Sequence, residues 1–321
     1  MRGGLTLKPT YYEALRRLAL ELAGVRMGSN HAFLVETRLA NLAREEGYAS
    51  LDAMIEELFG TGQTRLAVRV VSALVERDTH FNRDPASLDT LERIALRDLA
   101  QARGGGRVEL LCYGCGSGQD VYSVAMRVAA LAERDALGGM RVGVTGIDYP
   151  SQALERAKSG RYTHFEAQRG LPARDLLRWF TPEADGDWTV RPELRRHVDF
   201  HEMHLLSGLD ELSTYHAVIF RGALGHYSAP AQVRVLRGLS RLIRPYGYLL
   251  LGSGESLGEM HFGLDPVEGA PGLYRKREVA APKEPAAPTG KQPTERRDFG
   301  PKTAPRGKSR TEPKTVRRAG G

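Results

Sequence analysis

Two places in the chain combine residue types and spacing that could do chemistry. Gly114-Cys115-Gly116-Ser117-Gly118 follows the apolar run Val108–Tyr113 and precedes a helical pattern whose first turn carries Gln119 and Asp120. Glycines at 114, 116 and 118 permit tight turns and let a ligand approach the backbone. Such a loop by itself suits several nucleotide folds. The acid narrows the choice. A dinucleotide enzyme seats a pyrophosphate on free N–H groups at this helix start, whereas Asp120 would repel a phosphate and attract an ammonium group. Asp148, at the end of the next strand-like run, Arg141–Ile147, can accept both hydroxyls of a ribose. A ribose, a cationic amino-acid part and no phosphate describe S-adenosylmethionine better than NAD. The alternative for Asp120 is an acid that merely favours a helix start.

Elements that must position these residues can be read along the chain. Tyr11–Ala23 is amphipathic, with Leu15, Leu18, Leu20 and Leu22 set against Arg16 and Arg17,. His31–Glu46 follows a turn cluster, Ser50 caps the next helix, Gly60-Thr61-Gly62 ends it, and Thr64–Val75 reads as a fourth,. Beyond Gly104-Gly105-Gly106 the pattern becomes strand and helix in alternation: Val108–Tyr113, Asp120–Arg134, Arg141–Ile147, Ser151–Ser159, Tyr215–Phe220, Ala229–Ile243 and Tyr248–Leu251. Alternation of this kind implies parallel βαβ units and a doubly wound α/β sheet. Trp188–Val190 and His197–Phe200, after a helix over Pro172–Phe180, read as short strands of a small insertion. The expected organisation is a helical N-terminal domain (1–76), a linker with a connecting helix (77–106), an α/β domain (107–278) with a β insertion at about 181–203, and a tail (279–321).

Composition limits the function classes. The chain has 321 residues and a formal net charge of +7. Residues 279–321 alone hold eleven Lys and Arg against four acids, together with seven prolines, so the charge belongs to the tail and residues 1–278 are near neutral. That composition predicts a disordered basic extension, either simply solvated or able to meet an unknown acidic partner, nucleic acid or anionic lipid. No apolar run approaches the ~20 residues of a membrane span, and no signal-peptide pattern opens the chain, so a cytoplasmic protein that is not integral to a membrane is expected. The only two cysteines, Cys112 and Cys115, have no second pair to complete a zinc site and read as small buried residues; no metal is expected,.

Further residues, taken in order, resemble the S-adenosylmethionine-dependent CheR-type methyltransferases that esterify glutamates on bacterial chemotaxis receptors. Val35-Glu36-Thr37-Arg38-Leu39 with Glu46-Gly47-Tyr48 is similar to that family's N-terminal helices. Thr79-His80-Phe81-Asn82-Arg83-Asp84 resembles its linker motif, and Gly114–Ser123 its glycine loop. Asp148, Ala153–Ala157, Gly160-Arg161-Tyr162, Arg191–Leu194, Arg244–Tyr248 and Gly252–Leu257 complete the likeness, which covers about residues 8–278. It implies a small all-helical N-terminal domain followed by a Rossmann-like class I methyltransferase domain. S-adenosyl-L-methionine is the implied cofactor, and the acidic helix of a chemoreceptor cytoplasmic coiled coil the implied partner.

On that resemblance Asp120 faces the methionine amino group and Asp148 the ribose. Thr79 and Arg83 reach over from the linker, Gly114, Gly116 and Gly118 form the loop, and His204, Leu205, Arg221 and Gly222 line the cofactor. Arg83, His226 and Tyr227 stand near the transferred methyl. Arg83 has an alternative as an ion-pair partner of Asp84 or Asp78, and His226 as an exposed strand-end histidine. The chain departs from the family pattern at Arg77-Asp78 (asparagine–glutamate there), Asn82 (a phenylalanine), His204 and Gly222 (asparagines) and His226 (a tyrosine). Methyl transfer to receptor glutamates is the leading expectation; the departures leave open a scaffold or S-adenosylmethionine sensor that binds a receptor. A nucleic-acid methyltransferase is disfavoured, because residues 1–278 are near neutral and carry no Asn-Pro-Pro-Tyr type motif.

Overall fold

The computed structural model describes residues 7–28, 32–75, 79–149, 151–203 and 209–278. His204, Leu205, Arg77, Asp78 and the basic tail therefore lie outside the described residues. Four helices come first: α1 (Pro9–Ala23), α2 (Ala32–Glu45), α3 (Leu51–Thr61) and α4 (Thr64–Val75). Pro9 starts α1, where its missing N–H costs nothing, and Gly24 ends it in the left-handed conformation,. Ser50 caps α3 as expected, its Oγ accepting from the Ala53 N–H at 3.1 Å. The buried stripe of α1 is Tyr12, Leu15, Ala19 and Ala23, while Leu20 and Leu22 are exposed. Spacing rather than size selects that face, since i, i+3, i+7 and i+11 share one side of a helix.

Asp84 caps the helix that leads into the sheet, accepting from the Ser87 N–H at 3.4 Å. This helix runs as α5 (Pro85–Thr90), a π-helical stretch over Leu91–Leu96, and α6 (Arg97–Arg103). Then follow β1 (Arg107–Tyr113), α7 (Gln119–Glu133), β2 (Arg141–Asp148), α8 (Gln152–Ser159), β3 (Arg161–Tyr162), α9 (His164–Gln168), α10 (Ala173–Trp179), β4 (Phe180–Pro182), β5 (Trp188–Val190), α11 (Pro192–Arg195), β6 (Val198–Glu202), β7 (Tyr215–Ile219), α12 (Ala229–Leu242), β8 (Ile243–Leu250), β9 (Leu264–Pro266) and β10 (Leu273–Lys276). Seven strands form one sheet in the order β6-β2-β1-β7-β8-β10-β9, parallel through β8 and antiparallel at β10 and β9. This is the doubly wound arrangement of a class I methyltransferase. None of the described helices is long and apolar enough to cross a membrane.

Strand alternation divides the core. Val108, Leu110 and Cys112 face one layer with the helix over residues 85–103, α7 and α8, while Leu111 and Tyr113 face the other with α12,. Ala23 and Val71, from α1 and α4, join that second layer, so the N-terminal helices share a core with the sheet. The cysteines are buried as expected, and burial pushes both thiols well above their ordinary pKa.

One expectation is corrected. The strand around residues 197–200 does not belong to the small insertion: β6 is the edge of the large sheet, parallel to β2 from Val144↔Val198 to Asp148↔Glu202. The small antiparallel sheet is instead β3-β5-β4. Two short strands close in sequence resemble a hairpin in pattern, and only pairing decides which sheet each joins.

At the other end of the sheet from the glycine loop, His216 is buried at 2% exposure and its Nδ1 accepts the Glu109 N–H at 3.0 Å. Burial, aided by the charges of Arg103 and Arg244, pushes its pKa down to about 4. Between pH 6.5 and 4 the unfolded chain therefore takes up a proton that the folded one refuses. The stability supplied by neutral His216 is complete above pH 6.5 and is lost as pH falls through this window, at roughly 1.4 kcal/mol per pKa unit. Urea midpoints measured from pH 7 to pH 4 should fall, and less steeply in His216→Gln, which keeps an acceptor but does not titrate.

Candidate functional site

A cavity of about 370 Å³ opens where the carboxyl ends of β1, β2 and β7 meet the linker and the N-terminal helices,. Thr79, Arg83, Gly114, Gly116, Asp120, Asp148, Arg221, Gly222, His226 and Tyr227 all line it. Sequence-predicted site residues from four stretches of the chain (79–83, 114–120, 148 and 221–227) are thus brought together. Gly118 stands behind them, since it is not among the lining residues.

The glycine loop is shaped by close approach. Gly114, Gly116 and Gly118 all have positive φ (70°, 54° and 84°),. A β-carbon on Gly118 would lie 2.7 Å from that of Ala157, so the third glycine lets α7 start against α8. Loop amides are largely committed within the protein. Gly114 and Cys115 N–H donate to the Ile147 carbonyl at 2.8 and 3.0 Å, Gly118 N–H donates to the Cys115 carbonyl at 3.0 Å, and Gly116 N–H donates to the Asp148 carboxylate. A second oxygen of Asp148 accepts the Tyr149 N–H at 2.7 Å. A pyrophosphate would find few donors here, and two carboxylates facing it.

Asp120 is more than a helix-start acid. Arg221 Nη2 pairs with its Oδ1, and Nε donates to Oδ2 at 3.3 Å. The Arg221 side chain is only 2% exposed. Its Nη1 donates to the carbonyls of Arg83 (2.8 Å) and Asp84 (3.0 Å) and to Ser87 Oγ (2.6 Å). Arg221 therefore binds the linker to α7 and to the exit of β7. Asp120 retains 17% side-chain exposure and remains part of the cavity wall.

The linker is fastened at other points too. Phe81 is fully buried, edge-on to Tyr162 (5.0 Å) and Phe180 (5.4 Å). The Asn82 N–H donates to Ser123 Oγ at 2.9 Å, and Thr79 lies over Gly116. Arg83 forms no ion pair with Asp84; its Nη2 approaches the Gly222 carbonyl at 3.4 Å. Gly222 has φ +62°, and a β-carbon there would collide with the Arg83 guanidinium. The departure to glycine at 222 thus makes the space that Arg83 fills.

Two carboxylates outside the expected set organise the remaining loops. Glu255 accepts from Gly222 N–H (2.7 Å), Leu224 N–H (2.8 Å) and Gly252 N–H (2.9 Å), joining the exits of β7 and β8. Asp84 accepts from the Ser253 N–H at 2.7 Å. Partial burial pushes the Asp84 carboxyl up, but hydrogen bonds from Ser253 and Ser87 outweigh it and hold the pKa below the ordinary value. Glu255 stood inside a recognisable segment, Gly252–Leu257, yet nothing in its spacing signals three backbone donors from two loops. His226 is exposed on a short 3₁₀ turn, whereas Tyr227 is buried, its ring 6.1 Å from Phe220.

Comparison with known proteins points to one family. A family model described as CheR methyltransferase, SAM binding domain, matches residues 77–270. Chemotaxis protein methyltransferase 1 of Pseudomonas aeruginosa is 30% identical over 269 residues, covering 83% of this chain and 97% of that protein. Chemotaxis protein methyltransferase Cher2 of Pseudomonas putida is 28% identical over 264 residues (82% and 96%), and the chemotaxis protein methyltransferase of Escherichia coli 25% over 266 (81% and 89%).

Removing the Arg221 clamp should be felt as stability. Arg221→Lys keeps the charge but cannot reach its separate acceptors with one ammonium group. A loss of about 3 kcal/mol in urea unfolding is expected, the scale of breaking a buried ion pair. An Arg221→Lys protein as stable as the parent would mean that the linker is held by its other contacts.

Proposed function

The chain belongs to the CheR methyltransferase family, and from that premise we propose that it methylates glutamate side chains on the cytoplasmic coiled coil of a chemoreceptor. The observation that carries this reading is the division of charge within one cavity. Asp120 and Asp148 stand on the glycine-loop side, and the Arg83 guanidinium, with no carboxylate partner among the described residues, lines the same space. The two acids suit a cationic amino-acid group and a ribose, and the committed loop amides disfavour a phosphate. S-adenosylmethionine supplies an electrophilic sulfonium methyl group when bound.

Asp148 would hold the ribose hydroxyls, its carboxylate fixed by the Gly116 and Tyr149 N–H groups. Asp120, oriented by Arg221, would take the ammonium group on its exposed side. Thr79 and the glycines would bound the ligand between linker and loop. A glutamate side chain, with an ordinary pKa near 4.3, is ionised at neutral pH and needs no general base. One carboxylate oxygen forms the new bond to the methyl carbon while the carbon–sulfur bond breaks toward sulfur, giving a methyl ester and S-adenosylhomocysteine with no proton transferred. Alignment and exclusion of water are then the main tasks left to the protein. Arg83 would hold the attacking carboxylate, and the exposed His226 would border its entry. Tyr227, buried against Phe220, would support the loop rather than reach the acceptor.

Calorimetric titration with S-adenosylmethionine and S-adenosylhomocysteine tests the donor side without knowledge of the receptor. The parent should bind both, and Asp148→Ala should weaken binding by at least about tenfold, the equivalent of 1.4 kcal/mol. Cytoplasmic fragments of co-encoded receptors should then acquire methyl groups that alkali releases as methanol. Binding without such transfer would favour a receptor-bound scaffold or sensor; no binding by folded protein would sink the donor site itself.

A further inference from the structure

Residues 25–27, just after α1, line the site. Val25 forms an antiparallel bridge with Tyr227. Arg26 N–H donates to the His226 carbonyl at 2.8 Å, and Ser228 N–H donates to the Gly24 carbonyl at 2.8 Å. This short backbone ladder fixes Arg26 beside His226, on the wall of the cavity that Arg83, Asp120 and Asp148 also line. Arg26 is exposed, and no carboxylate among the described residues pairs with it. Arg38, which lines the same cavity, donates to the Leu74 carbonyl at 3.2 Å, while Arg16 pairs with Glu13 and Arg69 with Glu45 and Glu46.

Two guanidiniums without acid partners, from segments 57 residues apart in the chain, thus share one cavity with two carboxylates. Among the described residues neither arginine forms a salt bridge with Asp148, which backbone donors hold, or with Asp120, which Arg221 holds. A planar guanidinium binds a carboxylate through two parallel hydrogen bonds, a geometry that a carboxamide cannot match. In open water such a pair is weak, but a helix laid across the cavity mouth would exclude solvent and strengthen it.

We infer that Arg26 is an acceptor-binding residue that, with Arg83, grips the carboxylate of the glutamyl side chain to be methylated. This rests on the proposed function for the identity of the acceptor. The segment after α1 would then supply part of the acceptor subsite and select glutamate over glutamine.

Two measurements separate this inference from the reading on which it rests. The first needs no turnover: binding of a receptor cytoplasmic fragment to the protein loaded with S-adenosylhomocysteine, with the fragment's candidate acceptor residues either all Glu or all Gln. The parent should bind the Glu form several-fold more tightly, and Arg26→Ala should bind the two alike. The second is methyl transfer. Arg26→Ala should raise KM for the fragment about tenfold or more, Arg26→Glu should raise it further, and Arg26→Lys should recover part of the loss. Affinity for S-adenosylhomocysteine should stay within twofold in all three variants. Arg26-dependent preference for the Glu form without any methyl transfer would overturn the proposed function and leave this inference standing. Transfer with an unchanged KM in both Arg26→Ala and Arg26→Glu would overturn the inference alone. A parallel loss of S-adenosylhomocysteine affinity would overturn it too, by showing that Arg26 shapes the loop rather than holding the acceptor.

Discussion

Burying a guanidinium is expensive unless its donors are met, because the charge leaves water for a medium of low polarity. Arg221 satisfies this condition by drawing acceptors from separate parts of the chain: Asp120 at the start of α7, the carbonyls of Arg83 and Asp84 in the linker, and Ser87 in the first turn of α5. Each partner is thereby held in a relation to β7 that no local element imposes. The linker could otherwise take many paths between the helices and the sheet. With Arg221 in place its turn at Asp84 is set, and with that turn the direction of Arg83.

The same logic of meeting backbone donors with carboxylates extends outward from that clamp. Asp84 ties the linker to Ser253, and Glu255 ties the exits of β7 and β8 together through Gly222, Leu224 and Gly252. A single carboxylate that accepts several N–H groups is favoured in its charged form. Loops that lack regular structure gain from it the backbone satisfaction that a strand ladder would provide. The cavity wall is accordingly a set of irregular segments cross-linked by side chains, and its acid and arginine groups keep fixed places on it.

Much of this was legible because it is local. Glycine spacing, a strand before it and an acid after it belong to one continuous stretch, and Asp148 follows from the end of the next strand. Thr64–Val75 could be bounded from its apolar period, and it spans those same residues in the structure. Other features depend on partners distant in sequence. The strand at residues 198–202 has the same short pattern whether it joins an insertion or the main sheet, and only its pairing with β2 distinguishes them. Arg221 reads as one basic residue after an apolar strand, and its acceptors lie up to 138 positions away. The apolar pattern of Tyr11–Ala23 includes Leu20 and Leu22, yet these are exposed and Ala19 and Ala23 are buried, because the face toward the core is set by neighbours distant in sequence.

Asn82 and Gly222, two positions where the chain departs from the pattern that the resemblance implies, both adjoin Arg83. Asn82 stands where the family has a phenylalanine, and its backbone is left-handed (φ 49°), a conformation that asparagine tolerates and a bulky aromatic does not,. Its side chain donates to the Gly170 carbonyl at 3.0 Å, which ties the linker to the segment ahead of α10. One residue on, Arg83 fills the space left by the missing side chain of Gly222. Asn82 and Gly222 thus belong to one packed arrangement around Arg83, and the effect of either cannot be separated from the placing of that guanidinium.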